Sequence, residues 1–336
     1  MKWVYKVVFG LLTALTVASA AGSLYYYSRV NDNASDETAY EFRNYPEYYF
    51  SLIINTQDDI YWKEFKDGAT EAGKHYNVAI EFNEVSVPAS QNQIVEYIHI
   101  ANQSKLDGII VAGGSTDEYK EAIMKATESG ISVVVSNFDT SESSLVAYVG
   151  TNYYEYGEDA AKLIARWRGG DAQIDLAIIL SKHNDEHASV DPAIQNMRNG
   201  LMNGMNTGPI NLTSTLYGTS DYLGAEDQIR TTLNEHPDID VILCTNAKDT
   251  VSAAHVIIER NLVGEVAIVG TGVTSEIIDY IRKGVIFGVL DRNGYSAGYQ
   301  SVKVLYESME DKFKTNFMDI KTNVYTADNI STYAKP

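Results

Sequence analysis

Leu106-Asp107-Gly108-Ile109-Ile110-Val111, followed by a segment of helical spacing and then by Gly130-Ile131-Ser132-Val133-Val134-Val135, has the form of a strand-helix-strand step. Each apolar run is short, rich in β-branched residues and bounded by glycine, as expected of a strand buried on both faces of a parallel sheet. The pattern returns later in the chain. Ile239-Asp240-Val241-Ile242-Leu243 is followed by a helical stretch and then by Val266-Ala267-Ile268-Val269-Gly270. The strand-to-strand offset is about 24 to 26 residues in both copies, the length of one such step. Two such copies, one in each half of the chain, predict two similar lobes rather than one continuous sheet.

Working outward, further β-rich runs fall at 49–55, 78–84, 146–150, 174–180, 210–217 and 286–290. Helical stripes lie between them: Trp62, Phe65, Ala69, Ala72 and Tyr76; then Tyr156, Ala160, Leu163 or Ile164, and Trp167; then Tyr295 through Val302, Leu305 and Met309. Apolar residues at steps of three and four mark amphipathic helices. Strand and helix in alternation give an α/β fold with helices on both faces of parallel sheets. Ligands of such sheets bind beyond the carboxyl ends of the strands, which for two facing lobes is the cleft between them.

Composition narrows the chemistry. The 336 residues suffice for two lobes, and the formal net charge of −19 repels phosphate backbones, which argues against nucleic-acid binding. Cys244 is the only cysteine, so the chain has no internal disulfide and no multi-cysteine metal site. Its setting in Val241-Ile242-Leu243-Cys244 reads as an inert core thiol.

The first residues differ in kind. Lys2 and Lys6 precede a charge-free run from Val7 to Leu24, long enough to span a membrane. Ala18-Ser19-Ala20 also has the form of a signal-peptidase site, so a cleaved signal stays open beside an uncleaved anchor. No cysteine follows for lipid attachment, and Tyr25-Tyr26-Tyr27 suits a membrane interface. Positive charge before the run and acidic Asp32, Asp36, Glu37 and Glu41 after it place the body outside the cytoplasm on either reading. The segment 1–27 is thus a signal or anchor, and the polar 28–45 a tether.

The strand-end loops carry the polar chemistry. Asn55-Thr56-Gln57-Asp58-Asp59 followed by Tyr61-Trp62 pairs groups for hydroxyls with rings for an apolar face. The same segment also reads as a helix start whose aromatics pack inward. His183-Asn184-Asp185-Glu186-His187 lies in a strand-to-helix loop, where no helical face holds its histidines for a metal. Val269-Gly270-Thr271-Gly272-Val273 lacks both the dinucleotide glycine pattern and a Walker lysine, and reads as a tight turn. No G-x-S-x-G elbow is present, and no full set of catalytic residues supports an enzyme. No cofactor is expected. A transcriptional regulator on this core would need a basic helix-turn-helix ahead of residue 48, where the chain has an apolar run and an acidic tether instead.

The segment Ile53-Ile54-Asn55-Thr56 through Tyr61-Trp62 and Lys66-Asp67-Gly68 resembles the opening of the type I periplasmic sugar-binding proteins, with the ribose-binding group nearest. The resemblance extends over roughly residues 48–330. With its non-lipoprotein start, the chain also resembles anchored binding proteins that present sugar to a sensor histidine kinase. The resemblance implies two doubly wound parallel-sheet lobes joined by a three-crossing hinge, closing on a monosaccharide. With chain order it implies a first lobe of 46–151 plus 293–318 and a second of 152–292 plus 319–336, with crossings near 151, 292 and 319. The implied ligand positions are Asn55, Asp59, Tyr61, Trp62, Asn137, Phe138, Thr151, Tyr153, Gln195, Asn246 and Asp291. Several depart from the family pattern. Asn137 and Phe138 stand where the family has aspartate and arginine, and Gln195 where it often has arginine. Gly272 stands in place of a common aspartate, Asp291 of glutamine, and Ser220 of an aromatic. The implied partner is a membrane sensor kinase, with an ABC permease as the alternative.

Overall fold

The computed structural model describes residues 45–56, 60–86, 91–112, 116–136, 147–169, 173–180, 191–204, 209–219, 221–310 and 317–333, together with Ser19 and Gly22. The anchor and tether expectations for 1–27 and 28–45 lie outside the described residues, apart from Ser19, Gly22 and Tyr45. Among the described residues no helix is long and apolar enough to cross a membrane.

Twelve strands and nine helices alternate among the described residues from Pro46 on. In chain order they are β1 (Tyr48–Thr56), α1 (Ile60–Tyr76), β2 (Val78–Ser86), α2 (Gln91–Gln103), β3 (Gly108–Ala112), α3 (Asp117–Glu128), β4 (Ser132–Ser136) and β5 (Ala147–Gly150). Then follow α4 (Tyr153–Arg168), β6 (Ile174–Leu180), α5 (Pro192–Asn203), β7 (Ile210–Tyr217), α6 (Tyr222–Glu235), β8 (Val241–Cys244) and α7 (Ala247–Glu259). The chain ends with β9 (Ala267–Thr271), α8 (Ser275–Arg282), β10 (Gly288–Asp291), α9 (Gly294–Met309), β11 (Phe317–Asp319) and β12 (Asn323–Thr326).

The strands form two six-stranded sheets, ordered β2-β1-β3-β4-β5-β11 and β7-β6-β8-β9-β10-β12. Every pairing is parallel except β10 with β12. The apolar runs that predicted two lobes occupy matching places, β3–β4 in one sheet and β8–β9 in the other. β3, β8 and β9 are buried along their whole length because helices cover both faces.

Four apolar clusters fill the layers. In the first lobe, α1 and α9 cover one face of the sheet and α2 and α3 the other. In the second, α4 and α5 cover one face and α6, α7 and α8 the other. The buried stripe of α1 starts one residue earlier than the sequence pattern indicates: Tyr61 is 4% exposed, whereas Trp62 and Tyr76 are only part-buried. Glycine lets paired helices touch in both lobes. A Cβ on Gly68 of α1 would sit 1.9 Å from the backbone oxygen of Tyr295 on α9, and one on Gly200 of α5 1.9 Å from that of Tyr154 on α4.

The chain passes between the sheets three times: from β5 into α4, from β10 into α9, and from β11 to β12. Polar contacts tie these passages. Ile320 N donates to Gly150 O at 2.9 Å, and Asn152 N to Asp319 Oδ1 at 3.2 Å. Asn152 also caps α4, accepting from the amides of Tyr154 and Glu155. Asn293 caps α9 from a left-handed φ of 53°, a conformation asparagine tolerates better than most residues.

Candidate functional site

In both sheets the parallel strands aim their carboxyl ends, and the N-termini of the following helices, toward the same side. The loops 57–59, 87–90, 113–115, 137–146 and 181–190 after β1, β2, β3, β4 and β6 lie outside the described residues. The candidate site is therefore built from the helix starts and strand ends around them.

From the first lobe comes an aromatic group at the start of α1. The rings of Tyr61 and Trp62 meet edge to face at 5.0 Å, and Trp62 lies 5.4 Å from Phe65. Trp62 packs against the lobe core, so the inward-packing reading of this segment accounts for much of its surface.

The second lobe contributes a buried polar network. Asn246 caps α7: its Oδ1 accepts from the Asp249 amide at 2.8 Å, and its Nδ2 donates to Asp249 Oδ2 at 2.5 Å. Asp249 is fully buried, with Lys248 Nζ 3.6 Å from its other oxygen. Thr250 Oγ1 donates to Asn246 O at 2.7 Å and accepts from the Thr271 amide at 3.0 Å. Thr271 Oγ1 donates to Cys244 O at 2.8 Å and shares a 2.5 Å hydrogen bond with Tyr156 Oη. Burial raises the Tyr156 phenol to about 12, partly offset by that bond. Burial also raises the Cys244 thiol well above its ordinary value, in keeping with an inert core position.

Arg292, between β10 and α9, joins the two sides. Its guanidinium lies 4.3 Å from the centre of the Tyr61 ring, and its Nη1 donates to Tyr153 Oη at 3.3 Å. Beside it, Asp291 accepts from the Asn293 amide at 3.1 Å. Burial raises the Asp291 carboxyl above its ordinary value, against the lowering effects of its hydrogen bonds from Asn293 and Asn323 and of the Arg292 charge.

The sequence-predicted residues thus fall into three groups. Tyr61, Tyr153 and Asp291 gather around Arg292, with Trp62 against Tyr61 and buried Thr151 two residues before Tyr153. Asn246 belongs to the second-lobe network, while Gln195 is exposed in the first turn of α5. Asn55, next to last in β1, pairs with Val85, and Asp59, Asn137 and Phe138 lie outside the described residues, as do His183, His187 and Ser220. Sequence reasoning missed Arg292 and Asp249. It singled out Asp291 at the strand end and passed over its neighbour, although a cation at a strand-to-helix passage was there to be read.

Other concavities lie at the opposite pole, by the amino ends of the strands. One of them, of about 160 Å³, is lined by Trp167, Phe287 and Ile286 among others. Among the described residues no group of His, Cys, Asp and Glu is placed to hold a metal.

Comparisons with known proteins agree with this architecture. The family model for the periplasmic binding protein domain matches residues 50–312. A comparison with curated proteins finds no match. Among solved structures, the chain is similar to GanP, a glucose-galactose binding protein from Geobacillus stearothermophilus, at 26% identity and a TM-score of 0.73, covering 84% of this chain and 98% of that one. It is similar to the XylFII-LytSN complex at 25% identity and a TM-score of 0.74, covering 85% and 99%. AraP, an arabinose binding protein from Geobacillus stearothermophilus, shares the fold at 23% identity and a TM-score of 0.70, covering 86% and 100%.

Proposed function

Since the chain belongs to the periplasmic binding protein family, we propose that it is a receptor that closes two α/β lobes on a monosaccharide and reports the closed form to a membrane sensor histidine kinase. Membership makes it an extracytoplasmic binding protein and not an enzyme. The observation that carries the closure reading is the contact of Arg292 with Tyr61 of the first lobe and Tyr153 of the second. A group reaching both walls makes cleft geometry depend on what the cleft holds, and binding then shifts the population toward the closed form.

The proposed lobes are 46–151 with 293–318 and 152–292 with 319–336. The proposed ligand contacts are Asn55, Asp59, Tyr61, Trp62, Asn137, Phe138, Thr151, Tyr153, Gln195, Asn246 and Asp291, to which Arg292 is added. Aromatic faces would take the apolar side of a sugar ring, and amides, carboxylates and the guanidinium its hydroxyls. The kinase reading draws on the apolar run 7–24, read as an anchor, and on the similarity to a binding protein whose structure was solved in complex with LytSN. Delivery to an ABC permease is the alternative use of the same cleft.

Thermal unfolding of the full chain against pentoses, hexoses, inositols and small polyols tests the ligand class. A ligand at a hundred times its dissociation constant adds about 2.7 kcal/mol and raises the midpoint by several degrees. A selective rise with one sugar is the expected result, and a flat panel would remove the sugar reading. Copurification with a kinase ectodomain only in the presence of that sugar would support sensing. Ligand-dependent stimulation of a permease ATPase would replace it with delivery.

A further inference from the structure

Helix α1 has two faces at work. Tyr61, Phe65, Gly68, Ala69 and Ala72 are buried in their own lobe. Ile60 and Glu64, one turn apart, stand outside that stripe and meet the second lobe instead. Ile60 packs against the apolar cluster built on α6, α7, α8, β8 and β9. A Cβ added to Gly272 would lie 3.1 Å from Ile60 Cγ2 and 3.1 Å from Ala247 Cβ. Gly272 has a φ of 83°, so glycine both fits the turn and leaves the seat that Ile60 fills.

Glu64 makes the second contact. Tyr333 Oη donates to Glu64 Oε1 at 3.4 Å, while the Tyr333 ring packs on the same second-lobe cluster and lies 5.4 Å from that of Tyr325.

We infer that Ile60 and Glu64 form a latch, seated on Gly272 and Tyr333, that holds the lobes together through contacts of the protein's own. The inference rests on the reading of two lobes that open and close. It implies that a closed population exists before any ligand arrives. The apparent affinity for a ligand then scales with that population, so the latch tunes affinity by way of closure.

Spin labels on cysteines introduced at Lys120 and Asp227 would read this by pulsed electron resonance. Both positions are exposed and lie toward the cleft-side ends of α3 and α6. The native Cys244 is buried and stays unlabelled. Without added ligand, a short-distance population is expected, reduced roughly three- to tenfold by Ile60→Ala and less by Ile60→Val or Tyr333→Phe. Unchanged distances in a variant whose thermal unfolding matches the parent would overturn the latch, as would the absence of any short distance in the parent. If Ile60→Ala does not fold, Ile60→Val and Tyr333→Phe decide by the same criterion. Because no ligand is added, a flat sugar panel leaves this result standing, and loss of the latch leaves a positive panel standing.

Discussion

The two sheets share one strand order, yet the walls they bring to the cleft differ in kind. The first lobe offers rings: Tyr61, Trp62 and Phe65 pack on one another at the start of α1, held by apolar contact. The second offers a buried polar network, running from Asn246 and Asp249 through Thr250 and Thr271 to Tyr156. Arginine divides the same way. All seven arginines after residue 45 (Arg166, Arg168, Arg198, Arg230, Arg260, Arg282 and Arg292) fall within 152–292, and none within 46–151 or 293–318. Any guanidinium at the aromatic wall must therefore come from outside those proposed first-lobe segments, and among the described residues Arg292 is the one that reaches it. Topology can repeat while chemistry diverges, because strand order depends on apolar pattern alone and the wall on a few strand-end residues.

The polar wall is where a single change should cost most. Asp249→Ala removes a fully buried carboxylate and leaves the Asn246 amide and Lys248 beside an empty space. A loss of about 3 kcal/mol is expected, read by urea unfolding with hydrogen exchange, and concentrated in α7, β8 and β9. A loss spread evenly over both lobes would break the contrast. The next effect is on binding. Arg292→Met should lower ligand affinity by about tenfold or more, with Arg292→Lys recovering only part because an ammonium lacks the planar fork. Equal affinity in all three proteins would remove Arg292 from the site.

The contrast was only partly legible in the sequence. Short β-branched runs such as Gly108-Ile109-Ile110-Val111 and Val241-Ile242-Leu243 marked the parallel strands, since burial on both faces leaves a continuous apolar signature. The antiparallel β12 carries no such mark, because the direction of an edge strand is set by the path of the chain before it. In α1, Trp62 and Tyr61 are neighbours of similar character, and which one turns inward depends on how the helix rolls against α9, where Gly68 meets Tyr295. Asn246 was legible as a strand-end polar residue. Its bonds to Asp249, three residues on, appear only once the helix start brings the two together.

A smaller effect sharpens the same contrast. Thr271→Val keeps the shape but removes a hydroxyl that bonds both Cys244 O and Tyr156 Oη. A loss of about 1–2 kcal/mol is expected. Urea unfolding reads that loss, and a stability equal to the parent's would mean that the Thr271 hydroxyl adds nothing to the network.

The smallest expected effect lies where the two walls meet. Burial raises the Asp291 carboxyl above its unfolded value. Between those two values the folded protein holds more protons than the unfolded chain, so stability falls as pH rises through them. The relative stabilisation is complete below the unfolded value and is lost above the folded one. Asp291→Asn keeps an acceptor for the Asn293 amide while removing the ionisation. The variant should therefore show a flatter acid-side profile of Tm than the parent, and a Tm at neutral pH higher by about 1–2 °C. A lower neutral Tm would mean that the charge of Arg292 beside it stabilises the ionised carboxylate more than burial penalises it. Asp291 would then belong with the charged chemistry of Arg292 and not with the buried network of the second lobe.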